Sequence, residues 1–73
     1  MPRDTMQTYR DRNRAERAIA KRSLFANQRG ECSQYELRQL GDSAFIGGTC
    51  GELATRFPRA TIIGQWSAGY RVP

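Results

Sequence analysis

The stretch YRDRNRAERAIAKR, residues 9–22, places five arginines and one lysine in fourteen positions. How it is read decides the fold. A helix that covers a core needs a wide apolar stripe, and this one offers only Ala15, Ile19 and, further on, Ala26, flanked by Tyr9 and Ala20 and interrupted by Arg12. At about 100° per residue, Arg3, Arg10, Arg14, Arg17 and Lys21 fall in one narrow sector on the opposite side. Asp4 and Gln7 have capping-box spacing, and no glycine or proline interrupts the chain until Gly30. The expectation is a basic helix over residues 5–26, attached to the remainder through Leu24 and Phe25 and otherwise projecting from it.

The charge distribution separates the same two parts. Residues 1–29 carry eight basic and three acidic side chains, while residues 30–73 carry four of each. The whole formal charge of +5 therefore sits on the first segment, which points to an anionic partner such as nucleic acid, an acidic protein surface or a membrane face. Most of the large apolar residues lie beyond position 23. Seventy-three residues make one domain, of a size that buries only about 60% of its unfolded surface. Residues 1–29 read as its basic helical segment and 30–73 as a compact α+β body.

Within that body, SQYELRQLG (33–41) has Ser33 and Glu36 in capping-box spacing and Gly41 as a stop. It reads as a short helix turning Leu37 and Leu40 inward. SAFIGG (43–48) reads as a short strand ended by its two glycines. In TCGELATRFP (49–58), Thr49 and Glu52 form a capping box, Leu53 and Phe57 share a face, and Pro58 ends the helix. ATIIGQW and YRV, separated by SAG, read as a hairpin with Gly69 at a positive-φ position. The fold class is α+β, with a two- or three-stranded antiparallel sheet.

Chemistry and cofactors are not expected. The chain has no histidine, no serine with a base beside it, and no paired carboxylates suited to acid–base work. GGTCGE (47–52) lacks the lysine and the spacing of a phosphate loop. Two cysteines without histidine fall short of a structural zinc site, and both Cys32 and Cys50 read as reduced, small, buried apolar side chains. No apolar run reaches membrane-spanning length, and no apolar h-region marks a secretory signal. The expected place is the cytoplasm.

Three resemblances bear on function. ELATRFPRATIIGQW (52–66) resembles a helix-turn-helix, although only Pro58, Arg59 and Ala60 separate Phe57 from Thr61 and the β-branched TII suits a strand better. QTYRDRNRAERAIAKR (7–22) resembles the arginine-rich RNA-binding helices of lambdoid phage antiterminators. That likeness implies phosphate contacts from Arg10, Arg14, Arg17 and Lys21, with Tyr9 stacking on a base. Over its whole length, from MPRDTMQTYRDRNRAERAIAKR to IIGQWSAGYRVP, the chain resembles the small RNA-polymerase-binding regulators of lytic Xanthomonas phages.

The last resemblance implies a partner, host RNA polymerase near the β′ N-terminus and the RNA exit channel, with nascent RNA close by. It also implies two effects, inhibition of sigma-dependent initiation and antitermination at intrinsic terminators. Met6 and Tyr9 would then be protein-contacting anchors, since interface hot spots favour aromatic side chains. The arginine stripe would add positive charge beside the RNA.

Overall fold

Gln34–Gly41 is a strand, and with Gln7–Tyr9 it enlarges the sheet expected from the sequence to five strands. The computed structural model describes residues 5–73. Its elements in chain order are β1 (Gln7–Tyr9), α1 (Arg12–Gln28), β2 (Gln34–Gly41), β3 (Ala44–Thr49), α2 (Cys50–Arg56), β4 (Thr61–Ser67) and β5 (Tyr70–Val72). The five strands form one sheet of order β1-β3-β2-β4-β5 with every pairing antiparallel. The fold is α+β, as expected, with five strands in place of two or three.

Residues 34–41 are strand because both of their faces are covered. Tyr35 and Leu37 enter one cluster with Ala15, Ile19 and Ala26 of α1, Phe45 of β3 and Trp66 of β4. The alternate residues Glu36 and Arg38 point to the other face and are almost as deeply buried, at 2% and 6% exposure. Four consecutive buried residues suit a strand covered on both sides. The capping-box spacing of Ser33 and Glu36 is coincidental, and the helix propensity of Glu, Leu, Arg and Gln yields to sheet pairing. Leu37 is fully buried as expected, but Leu40 is 43% exposed.

Helix α1 is also not an appendage. Ala15, Ile19, Ser23 and Ala26 are each fully buried, so the narrow apolar stripe lies across the sheet. Leu24 and Phe25, expected to join the body, face out at 38% and 44% exposure. The helix starts later than expected because Asp11, in extended conformation, accepts a hydrogen bond from the Asn13 N–H at 3.1 Å and caps it. Gln7, Thr8 and Tyr9 pair instead with Gly47, Ile46 and Phe45 of β3. The Asp4 cap and the Arg3 end of the basic stripe lie outside the described residues. At the other end, Gly30 (φ 74°) follows the helix while its N–H bonds Asn27 O and that of Glu31 bonds Ala26 O, a Schellman arrangement.

Helix α2, expected from Thr49, begins at Cys50, but its capping box is rewired. Thr49 makes no side-chain cap bond. The Glu52 carboxylate instead accepts from the Thr5 hydroxyl at 2.7 Å and from the Thr5 N–H, while Thr5 Oγ1 accepts the Thr49 N–H at 3.0 Å. The start of α2 thereby ties down the start of β1. The β4–β5 hairpin turns on Ala68 (φ 51°) and Gly69 (φ 92°), a two-residue loop of the kind whose twist matches the strands. The Gly69 N–H donates to the hydroxyl of buried Ser23 at 2.9 Å, which holds the loop against α1.

The helix can lie this close to the sheet because β3 has bare backbone under it. A Cβ on Gly47 would stand 2.3 Å from Ile19 Cδ1 and 2.8 Å from its Cγ1. Gly47→Ala is expected to destabilise the protein by about 1–3 kcal/mol, the usual range for overpacking. Gly51→Ala in α2, where a Cβ meets nothing within 4 Å, is expected to be neutral or to stabilise by up to about 1 kcal/mol. Urea denaturation of the pair checks this, and equal midpoints would contradict it.

Candidate functional site

The six residues expected at the partner surface separate into three environments. Arg14, Arg17 and Lys21 lie on exposed positions of α1 at spacings of three and four, on the face opposite Ala15, Ile19 and Ala26. Arg10, also exposed, precedes the helix in the turn after β1. Among the described residues the only ion pair made by any of these four is Arg14 to Asp11 at 3.9 Å, with the Arg14 side chain 86% exposed. Like charges at these spacings repel by a few tenths of a kcal/mol per pair, a persistent positive field with no folding role.

Tyr9 is placed differently. It is half-buried, packs on the core cluster, and its hydroxyl donates to Gln7 Oε1 at 3.1 Å and accepts from Arg22 Nη1 at 3.3 Å. It props β1 under the helix and does not stand out as an exposed anchor. Met6, half-buried, lines a cleft of about 400 Å³ between residues 5–7, the C-terminal half of α1 and the segment 29–31.

Residues that sequence reasoning passed over dominate that cleft: Arg22, Phe25, Arg29 and Tyr35. Arg22 donates to the Thr5 carbonyl as well as to Tyr9, and its guanidinium lies 5.3 Å from the Tyr35 ring centroid. Arg29 pairs with Glu31 at 2.9 Å on the rim. Phe25 follows Lys21 and Arg22 at helical spacings of four and three, which is the signal in the sequence, whereas the expectation gives Phe25 to the body.

A second polar cluster lies under α2 on the other face of the sheet. Arg38 Nε meets Glu36 Oε1 at 2.5 Å, Arg38 Nη1 donates to the Phe57 carbonyl at 2.8 Å, and Gln65 Nε2 donates to Glu36 Oε2 at 2.7 Å. Among the described residues no buried side-chain polar atom lacks a partner. Removing one member of such a pair costs about 3–5 kcal/mol, because the other is left buried and charged. This cluster is a structural clamp, closed to ligands by its own bonds.

The cysteines are free, but they are not both buried as expected: Cys32 is exposed and Cys50 is half-buried at the start of α2. Burial pushes the Cys50 thiol above its ordinary value. The neighbouring Glu36 carboxylate and Cys32 add to the rise, and Arg38 opposes it. Among the described residues no three His, Cys, Asp or Glu side chains are grouped to hold a metal, and no helix is long and apolar enough to cross a membrane.

The segment resembling a helix-turn-helix has no second helix, since Thr61–Ser67 pairs as β4 with β2 and β5. β-Branched Thr61, Ile62 and Ile63 fit a pleated strand, and Pro58 stops α2 before the chain turns back.

A raised thiol pKa means less thiolate at a given pH. Mass-mapped alkylation with iodoacetamide near neutral pH is expected to modify Cys32 several-fold faster than Cys50. The rate at Cys50 should reach half of its plateau only above about pH 8.5, the ordinary thiol value. Equal rates at pH 7 would mean that α2 does not shield Cys50. No protein-family model, curated protein or solved structure matches this chain.

Proposed function

We propose that this chain is a non-enzymatic phage regulator that binds the RNA polymerase of its bacterial host, in the host cytoplasm. It docks near the β′ N-terminus beside the RNA exit channel. There it inhibits sigma-dependent initiation, displacing the sigma segment that passes nearby, and lets elongating polymerase read through intrinsic terminators. The observation that carries this reading is the outer face of α1, where Arg14, Arg17 and Lys21 stay exposed and almost unpaired on a helix whose inner face is locked into the core. The likeness over the whole sequence supplies the partner. A body of 33 × 26 × 20 Å is a wedge on the scale of a nucleic-acid channel, and its positive face suits a site lined by RNA phosphate. One binding event then serves both effects without chemistry.

A second reading, a nucleic-acid-binding protein that uses the arginines of α1, draws on the same exposed face. Its DNA-binding form through residues 49–66 loses support, because β4 occupies the place of a recognition helix.

The chain is expected to co-elute with nuclease-treated host polymerase on a sizing column at moderate salt. Arg14→Glu with Arg17→Glu, at exposed positions that leave folding intact, is expected to weaken that complex by tenfold or more. The complex itself should lose little affinity between about 50 and about 200 mM salt compared with the orders of magnitude lost by phosphate binding. Failure to co-elute, with binding to promoter DNA or RNA in its place, would sink the polymerase reading.

A further inference from the structure

The cleft beside Arg22 joins the basic face of α1. From Arg14 the outer positions of the helix run Arg17, Lys21, Phe25, at spacings of three, four and four, so the basic track ends on an exposed aromatic ring. Phe25 is 44% exposed, and it lines the cleft with Arg22 and Arg29. A large aromatic side chain left partly in water in a cleft that two arginines also line has no role in the core cluster, which does not include it. It does have the composition of a base-stacking platform, in which an aromatic face takes a base and cations follow the backbone.

The cleft is prepared for an anion. Arg22 is held in place by the Thr5 carbonyl, the Tyr9 hydroxyl and the Tyr35 ring. Of its five N–H donors the structure engages two. Among the described residues the Arg29 side chain is engaged only with Glu31, and both side chains are more than half exposed. An exposed pair of that kind is weak and can exchange its carboxylate for a phosphate.

We propose that this cleft and the adjoining face of α1 bind single-stranded polynucleotide, with a base stacked on Phe25 and flanking phosphates held by Lys21, Arg22 and Arg29. A duplex is disfavoured because its bases are already stacked and paired, which leaves Phe25 nothing to cover. RNA and DNA strands share the required chemistry. The proposal concerns the chain alone and stands or falls separately from polymerase binding.

Fluorescence anisotropy with the full chain tests it, using short labelled oligouridine, oligothymidine and a duplex of equal length. Both single strands are expected to bind more tightly than the duplex. Tighter binding of oligouridine assigns the site to RNA and of oligothymidine to DNA, and either upholds the proposal. Phe25→Ala is expected to weaken binding about tenfold to a hundredfold, the usual effect of losing one stacking partner. Arg29→Ala should weaken it and reduce the salt slope by about 0.7, one phosphate contact on a single strand. Arg56→Ala, at an exposed position on α2, should change nothing. Thermal melting of each variant guards against loss of fold, and Arg29→Ala carries the test if Phe25→Ala melts early. Four results would overturn the site: no binding of single strands at about 50 mM salt, preference for the duplex, equal losses from Arg29→Ala and Arg56→Ala, or competition by oligoglutamate as effective as that by unlabelled oligonucleotide.

Discussion

The contact between Ile19 and the bare backbone of Gly47 sets how close α1 lies to the sheet, and much of the molecule follows from it. With no side chain on Gly47, Ile19 sinks to complete burial. Small residues then suffice along the rest of the inner face, namely Ala15, Ser23 and Ala26. A helix that packs through alanines brings its backbone near the strands, so its thin apolar stripe is enough. That frees the remaining circumference of α1 from any packing duty. The basic residues outside are not surplus on a detached helix but the solvent-facing side of a helix packed on the sheet.

The opposite face of the sheet solves a different problem. Helix α2 is only seven residues long, and beneath it the strands present Glu36 and Arg38 in place of an apolar pair. These charges are tolerable because each finds further partners, Gln65 for one and the Phe57 carbonyl for the other. The network joins β2, β4 and the end of α2. Glu52 makes a similar link from α2 to the N-terminal segment through Thr5. In a chain this small, where apolar burial is limited, polar ties of this sort hold the periphery to the core.

These two constraints divide the molecule functionally. The polar bonds under α2 are consumed internally, whereas Arg14, Arg17, Lys21 and the Arg22–Phe25–Arg29 cleft retain unused donors and an uncovered ring. A rigid body that displays its positive charge along one helix and ends it at one cleft offers a partner a fixed arrangement to meet. Little ordering of the helix is then needed on binding, which suits the binding role proposed for it.

The sequence by itself determined the α+β class, the site of α2, the β4–β5 turn at Gly69 and the basic face through Arg14, Arg17 and Lys21. Each rests on a signal in the sequence: a proline stop, a glycine between two strand-like runs, or residue spacing along one helix. Only the tertiary structure decided that residues 34–41 are strand, that Gln7–Tyr9 leave the helix for β3, and that α1 is core. Those outcomes depend on what covers each face. Glu36 and Arg38 look like solvent-facing helix residues until α2 and Gln65 surround them, and Tyr9 looks like a free aromatic until Arg22 and Gly47 meet it. The cleft residues were illegible for the same reason. Arg22, Phe25 and Arg29 share one face at the end of α1, but only packing α1 against the N-terminal segment and β2 makes a cleft there with Met6 and Tyr35.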